Sequence, residues 1–82
     1  MRKIGFIGCG HMAKALIKGL KSNKSYELFG YDRNTKNLAW LEQEKIAFCS
    51  LKEICQESDI LMICVKPKDM YDLCSEMRTY IG

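Results

Sequence analysis

Residues 3–13 read Lys3-Ile4-Gly5-Phe6-Ile7-Gly8-Cys9-Gly10-His11-Met12-Ala13. The run Lys3–Ile7 is short and nearly all apolar, which by itself suits a strand or a buried helical turn. Its position directly before a glycine cluster favours a buried strand. Past the cluster the apolar residues change spacing. Met12, Leu16 and Leu20 fall at i, i+4 and i+8, and Ala13 with Ile17 fills the neighbouring row, so a helix is expected from His11 to about Ser22. A strand, the pattern G-x-G-x-x-A and a helix in that order open a βαβ unit built to hold the pyrophosphate of NAD or NADP.

Each residue of the turn has a physical task. Gly8 permits the tight bend, and Gly10 lets the backbone approach the pyrophosphate where a Cβ would obstruct it. Ala13 replaces the third glycine and still lets the helix lie close on the sheet. The phosphates would meet free amides and the positive end of the helix. A turn that keeps its glycines for packing alone is the competing reading.

Outward from this unit the pattern repeats. Tyr26 to Tyr31 is a second strand, and Asp32-Arg33-Asn34-Thr35 is a turn in which Asn34 can cap a helix from Thr35 to Glu44. Ile46 to Cys49 is a third short strand. Ser50 and Glu53 match the capping box of a short helix ending near Glu57. Ile60 to Val65 is continuously apolar, as an interior parallel strand covered on both faces would be. Pro67 suits the first turn of a last helix, whose inner stripe is Met70, Leu73 and Met77 and which is expected to end at Gly82. Alternation of this kind implies an α/β fold, a partial Rossmann fold with a four-stranded parallel sheet of order 3-2-1-4 and flanking helices.

Composition bounds the function classes. The 82 residues are 48% hydrophobic and 28% charged, an ordinary globular balance. The net charge of +3 suits an anionic cofactor but falls short of the dense basic patch of a nucleic-acid binder. No apolar run approaches the roughly 20 residues of a membrane helix. The five cysteines (Cys9, Cys49, Cys55, Cys64 and Cys74) make no C-x-x-C pair and no metal-ligand spacing with the single His11. Their odd number, without a signal peptide, points to reduced thiols in the cytoplasm. Cys49, Cys55, Cys64 and Cys74 read as small buried hydrophobes.

Two further sites bear on cofactor choice. Asp32 lies 22 residues after Gly10, where an acidic side chain accepts hydrogen bonds from the adenosine ribose and favours NAD. Arg33 follows at once, and a guanidinium there can grip the 2′-phosphate of NADP. Arg33 as a solvated turn residue is the plainer alternative. Val65-Lys66-Pro67 lies just past the fourth strand, on the rim where such sheets bind ligands. There Lys66 is either a charge beside the cofactor or an exposed lysine at a capped helix start.

The stretches KIGFIGCGHMAKALIKGL (3–20), YDRNTKNL (31–38) and SDILMICVKP (58–67) together resemble the N-terminal domain of the pyrroline-5-carboxylate reductase family across essentially the whole chain. The resemblance implies reduction of the C=N bond of 1-pyrroline-5-carboxylate to proline, the last step of proline biosynthesis, with NADPH or NADH as donor and a lean to NADP. It places Ile7, Gly8, Cys9, Gly10, His11 and Met12 at the pyrophosphate, Arg33 and its neighbours at the adenosine end, and Cys64, Val65, Lys66 and Pro67 beside the nicotinamide ribose. His11 stands where the family commonly has Asn or Gln, and Leu51 falls where many members carry an Asn near the adenosine.

Family members continue with further strands of the sheet and then an all-helical domain that builds the dimer and the substrate site. The resemblance therefore implies that residues 1–82 are a truncated dinucleotide-binding domain, inactive alone and without a catalytic residue or metal. A related oxidoreductase is a second reading, either a coenzyme F420-dependent NADP reductase or an enzyme of 3-hydroxyacid dehydrogenase type. A non-catalytic nucleotide-binding module is a third. A fourth strand left at a sheet edge would recruit partners, so a homo-oligomer formed through that edge or by element swapping is expected. No nucleic-acid or membrane partner is expected.

Overall fold

A computed structural model describes residues 2–80. Eight elements alternate along the chain: β1 (Arg2–Ile7), α1 (His11–Leu20), β2 (Tyr26–Tyr31), α2 (Thr35–Gln43), β3 (Ala47–Phe48), α3 (Leu51–Glu57), β4 (Ile60–Ile63) and α4 (Pro67–Met77). The strands form one parallel sheet in the order β3-β2-β1-β4, as the alternation implies. Ile7 at the end of β1 pairs with Tyr31 on one side and Ile63 on the other, which brings the ends of three strands to one rim.

Successive side chains of a strand point to opposite faces, and β1 feeds both cores this way. Ile4 and Phe6 join Ala13, Ile17, Leu28 and Leu41 beneath α1 and α2. Ile7 joins Leu51, Ile54, Leu73 and Met77 beneath α3 and α4. The sheet is thus wound on both faces. A methyl group at Gly5 would collide with Ile54 and Ser58, so α3 lies closer to the sheet than any other residue type there would permit.

Several expectations need correction. Only one of the two apolar rows of α1 is buried. Ala13 and Ile17 are sealed, whereas Met12 is 71% exposed and Leu16 is also exposed. The small Ala13 lets the helix settle on the sheet along its own row, which turns the Met12–Leu16 row outward. β3 is two residues long rather than four. β4 ends at Ile63 rather than Val65, and it is half-buried at the sheet's edge instead of covered on both faces.

The cysteines do not share one environment. Cys9 is fully buried, Cys49, Cys55 and Cys64 are half-buried, and Cys74 is exposed on the outer side of α4. The last helix ends at Met77, with residues 78–80 in turns; its expected end at Gly82 lies outside the described residues. Among the described residues, no helix is long and apolar enough to cross a membrane.

Candidate functional site

The glycine turn begins where β1 runs out. Gly8 has φ +88°, a left-handed value that L side chains rarely adopt. A Cβ there would also come within 2.8 Å of Val65 Cγ1 and 2.9 Å of the Cys64 carbonyl oxygen. Gly8 N–H donates to the Tyr31 carbonyl at 2.8 Å, and Cys64 N–H donates to the Ile7 carbonyl at 2.8 Å. The turn is therefore tied to both neighbouring strand ends.

Cys9 points down rather than out. Its thiol lies 3.6 Å from the Tyr31 carbonyl oxygen and 3.9 Å from that of Phe6. Burial, with the Asp32 charge adding to it, pushes this thiol up to about 11, so it stays protonated through the neutral range. It is a packing group, not a nucleophile. Burial likewise raises the Cys49, Cys55 and Cys64 thiols above the ordinary range.

Gly10 is the N-cap of α1, and the start of this helix differs from the others. Asn34 caps α2 by accepting from Lys36 N–H, and Ser50 with Glu53 forms a complete capping box on α3. α4 has Pro67 and Asp69 in its first turn. α1 has neither a side-chain cap nor an acidic residue in its first turn. Its first intrahelical bond is Lys14 N–H to the Gly10 carbonyl, and among the described residues the amides of His11, Met12 and Ala13 find no acceptor in the chain. Three donors and the positive helix end are left for an anion. A Cβ built on Gly10 meets nothing within 4 Å, so the space above it is open.

That space is a cleft of about 390 Å³, at the C-terminal end of the sheet between the β1–α1 and β4–α4 connections. Of the residues singled out in the sequence, Ile7, Gly8, Gly10, Asp32, Arg33, Cys64, Val65 and Lys66 line it. Cys9, His11, Met12 and Pro67 do not. Cys9 lies beneath the turn, while His11 and Met12 are exposed on α1 and offer the site only their backbones. Pro67 begins α4, for which Lys66 is the N-cap. Sequence reasoning missed Tyr31, Asn34, Asn37, Lys68, Asp69 and Leu73, which complete the lining.

Asp32 is engaged inside the chain. Its Oδ2 accepts from Cys9 N–H at 2.7 Å and from Asn37 Nδ2 at 2.9 Å, and its Oδ1 accepts from Asn34 N–H at 2.8 Å. The carboxylate expected to face a ribose thus staples the glycine turn to the start of α2. No short-range pattern announces this, because Asn37 becomes a partner only once α2 is folded. Arg33 is exposed at the rim, where its guanidinium forms an ion pair with Glu76 of α4. Among the described residues, no cluster of three or more His, Cys, Asp or Glu is placed to hold a metal ion.

A family model described as NADP oxidoreductase, coenzyme F420-dependent, matches residues 3–81. The chain belongs to this family. It is 37% identical to pyrroline-5-carboxylate reductase 1 of Bacillus spizizenii over 98% of its own length and 29% of that protein. It is 35% identical to pyrroline-5-carboxylate reductase of Escherichia coli, over 99% of the chain and 32% of the relative. The chain thus spans about a third of the curated relatives it matches. Among solved structures, prephenate dehydrogenase from A. aeolicus, in complex with hydroxyphenyl propionate and NAD+, superposes over all of this chain and 30% of its own. The TM-score is 0.81 at 17% identity, a likeness of fold.

Proposed function

We propose that this chain is the cofactor-holding domain of an NAD(P)H-dependent pyrroline-5-carboxylate reductase of proline biosynthesis. The observation that carries the reading is the start of α1: an uncapped helix end with three free amides, opening through Gly10 onto a cleft at the switch point of the sheet. The relatives' printed activity and the NAD+ of the structural neighbour agree with it. When bound, the reduced nicotinamide supplies the hydride that the C=N carbon of 1-pyrroline-5-carboxylate accepts in forming proline.

The chain's own residues bind and orient. Gly8, Gly10 and the amides of His11 and Met12 receive the pyrophosphate. Asp32 holds the turn in its receiving shape through Cys9 N–H. Cys64, Val65, Lys66 and Pro67 flank the nicotinamide side, with Val65 packed over Gly8. Arg33 meets the adenosine end. Because the Asp32 carboxylate faces the turn, its conflict with a 2′-phosphate at Arg33 eases, and NADP is the favoured cofactor with NAD as the alternative. No residue of the chain is assigned to the chemical step, and the substrate contacts fall to other parts of the protein.

The reading includes a cytoplasmic setting and association through the β4 edge or by element exchange. The family description favours one second reading, an NADP oxidoreductase that uses coenzyme F420 and shares the same cleft. The full-length protein separates the two. NADPH oxidation driven by 1-pyrroline-5-carboxylate, with proline as product, is the expected result. Turnover with reduced coenzyme F420 and NADP, but none with the pyrroline, would replace it with the second reading.

A further inference from the structure

We infer that Glu76 tunes the cofactor preference of this cleft, by occupying Arg33 and so handicapping a 2′-phosphorylated dinucleotide relative to its unphosphorylated counterpart. The inference rests on the reading of the cleft as a dinucleotide site and assigns a role to a residue 43 positions away from Arg33 in sequence.

The geometry is an ion pair between Arg33, which lines the cleft, and Glu76 of α4, which lies outside its lining. Arg33 extends from the turn after β2, and its Nη2 donates to Glu76 Oε1 at the end of α4. The side chains are 60% and 46% exposed, and an exposed pair of this kind contributes little to stability. Its consequence lies in what an incoming ligand meets. The adjacent carboxylate of Asp32 is committed to Cys9 N–H, Asn34 N–H and Asn37, so among the described residues Glu76 is the acid paired with this guanidinium.

A ribose 2′-hydroxyl can donate to a carboxylate and coexist with Glu76. A 2′-phosphate cannot. It has no proton to offer at neutral pH, carries close to two negative charges, and needs the fork of Arg33 for itself. It must either displace Glu76 or sit beside it against like-charge repulsion, and such a penalty falls on one ligand and spares the other. Lys66, Lys68 and Asp69 on the cleft wall act alike on the pyrophosphate that both cofactors share, so the discrimination is local to the adenosine end.

Calorimetric titration of the full-length protein with NADPH and with NADH tests this on wild type, Glu76→Gln, Arg33→Ala and the double variant. Glu76→Gln keeps the side chain's shape and removes its charge. It should tighten NADPH by about three- to tenfold and change NADH by less than about twofold. The gain should shrink at high salt and vanish on the Arg33→Ala background. A change of equal size for both cofactors, weaker NADPH binding, or a gain that persists without Arg33 would overturn the inference and leave Glu76 as a tether of α4. A wild-type protein that binds neither cofactor would remove the dinucleotide reading itself, and this inference with it.

Discussion

The two glycines of the turn are constrained by different things, and a methyl group tells them apart. At Gly8 a side chain meets both a left-handed φ of +88° and the atoms of Val65 and Cys64. Gly8→Ala should destabilise the fold by about 1–3 kcal/mol, read as a lower melting temperature. At Gly10 the backbone is extended (φ −77°) and a Cβ touches nothing, so Gly10→Ala should cost stability less than about 1 kcal/mol. The same methyl projects where the pyrophosphate would lie, so NADPH affinity should drop at least about tenfold while the melting temperature stays close to wild type. Equal thermal losses at the two positions, or unchanged affinity in Gly10→Ala, would mean that Gly10 serves packing. This scale also marks where the sequence stops being readable. Gly8 and Gly10 declare themselves by spacing. Asp32 is recognisable as a rim acid, but its partners Cys9 N–H and Asn37 exist only in the folded chain, and the Arg33–Glu76 pair joins residues 43 positions apart.

At the scale of elements, runs and caps carried most of the information. β1 and β2 appear as apolar stretches closed by turn residues, and the Asn34 cap and the Ser50–Glu53 box fix the starts of α2 and α3. What periodicity could not supply is which of two adjacent rows faces the sheet, because burial of Ala13 is decided by the distance between helix and sheet and not by hydrophobicity. Nor could it show that β4 is only half covered. Among the described residues β4 is the edge of the sheet, with Ile63 39% exposed, and a parallel strand of this composition presents unpaired backbone groups. Under the proposed association, the 82-residue chain should show a mass above that of a monomer by light scattering at high micromolar concentration. A monomeric mass there would reject edge pairing and element exchange alike.

On the scale of the whole molecule, two cores on opposite faces of one sheet hold the ends of β1, β2 and β4 together, and the uncapped α1 opens at that meeting point. The fold positions a helix end whose first three amides find no acceptor among the described residues, and under the proposed function that end receives a pyrophosphate. Binding of a dinucleotide at that helix end is the central claim. A 15N–1H correlation spectrum of the chain titrated with NADPH reads each amide separately. Saturable shifts should be largest at Gly8, Gly10, His11 and Met12, extend to Arg33, Val65 and Lys66, and spare the opposite end of the sheet around Lys3 and Asp59. An absence of saturable shifts, or shifts centred away from the glycine turn, would contradict the assignment.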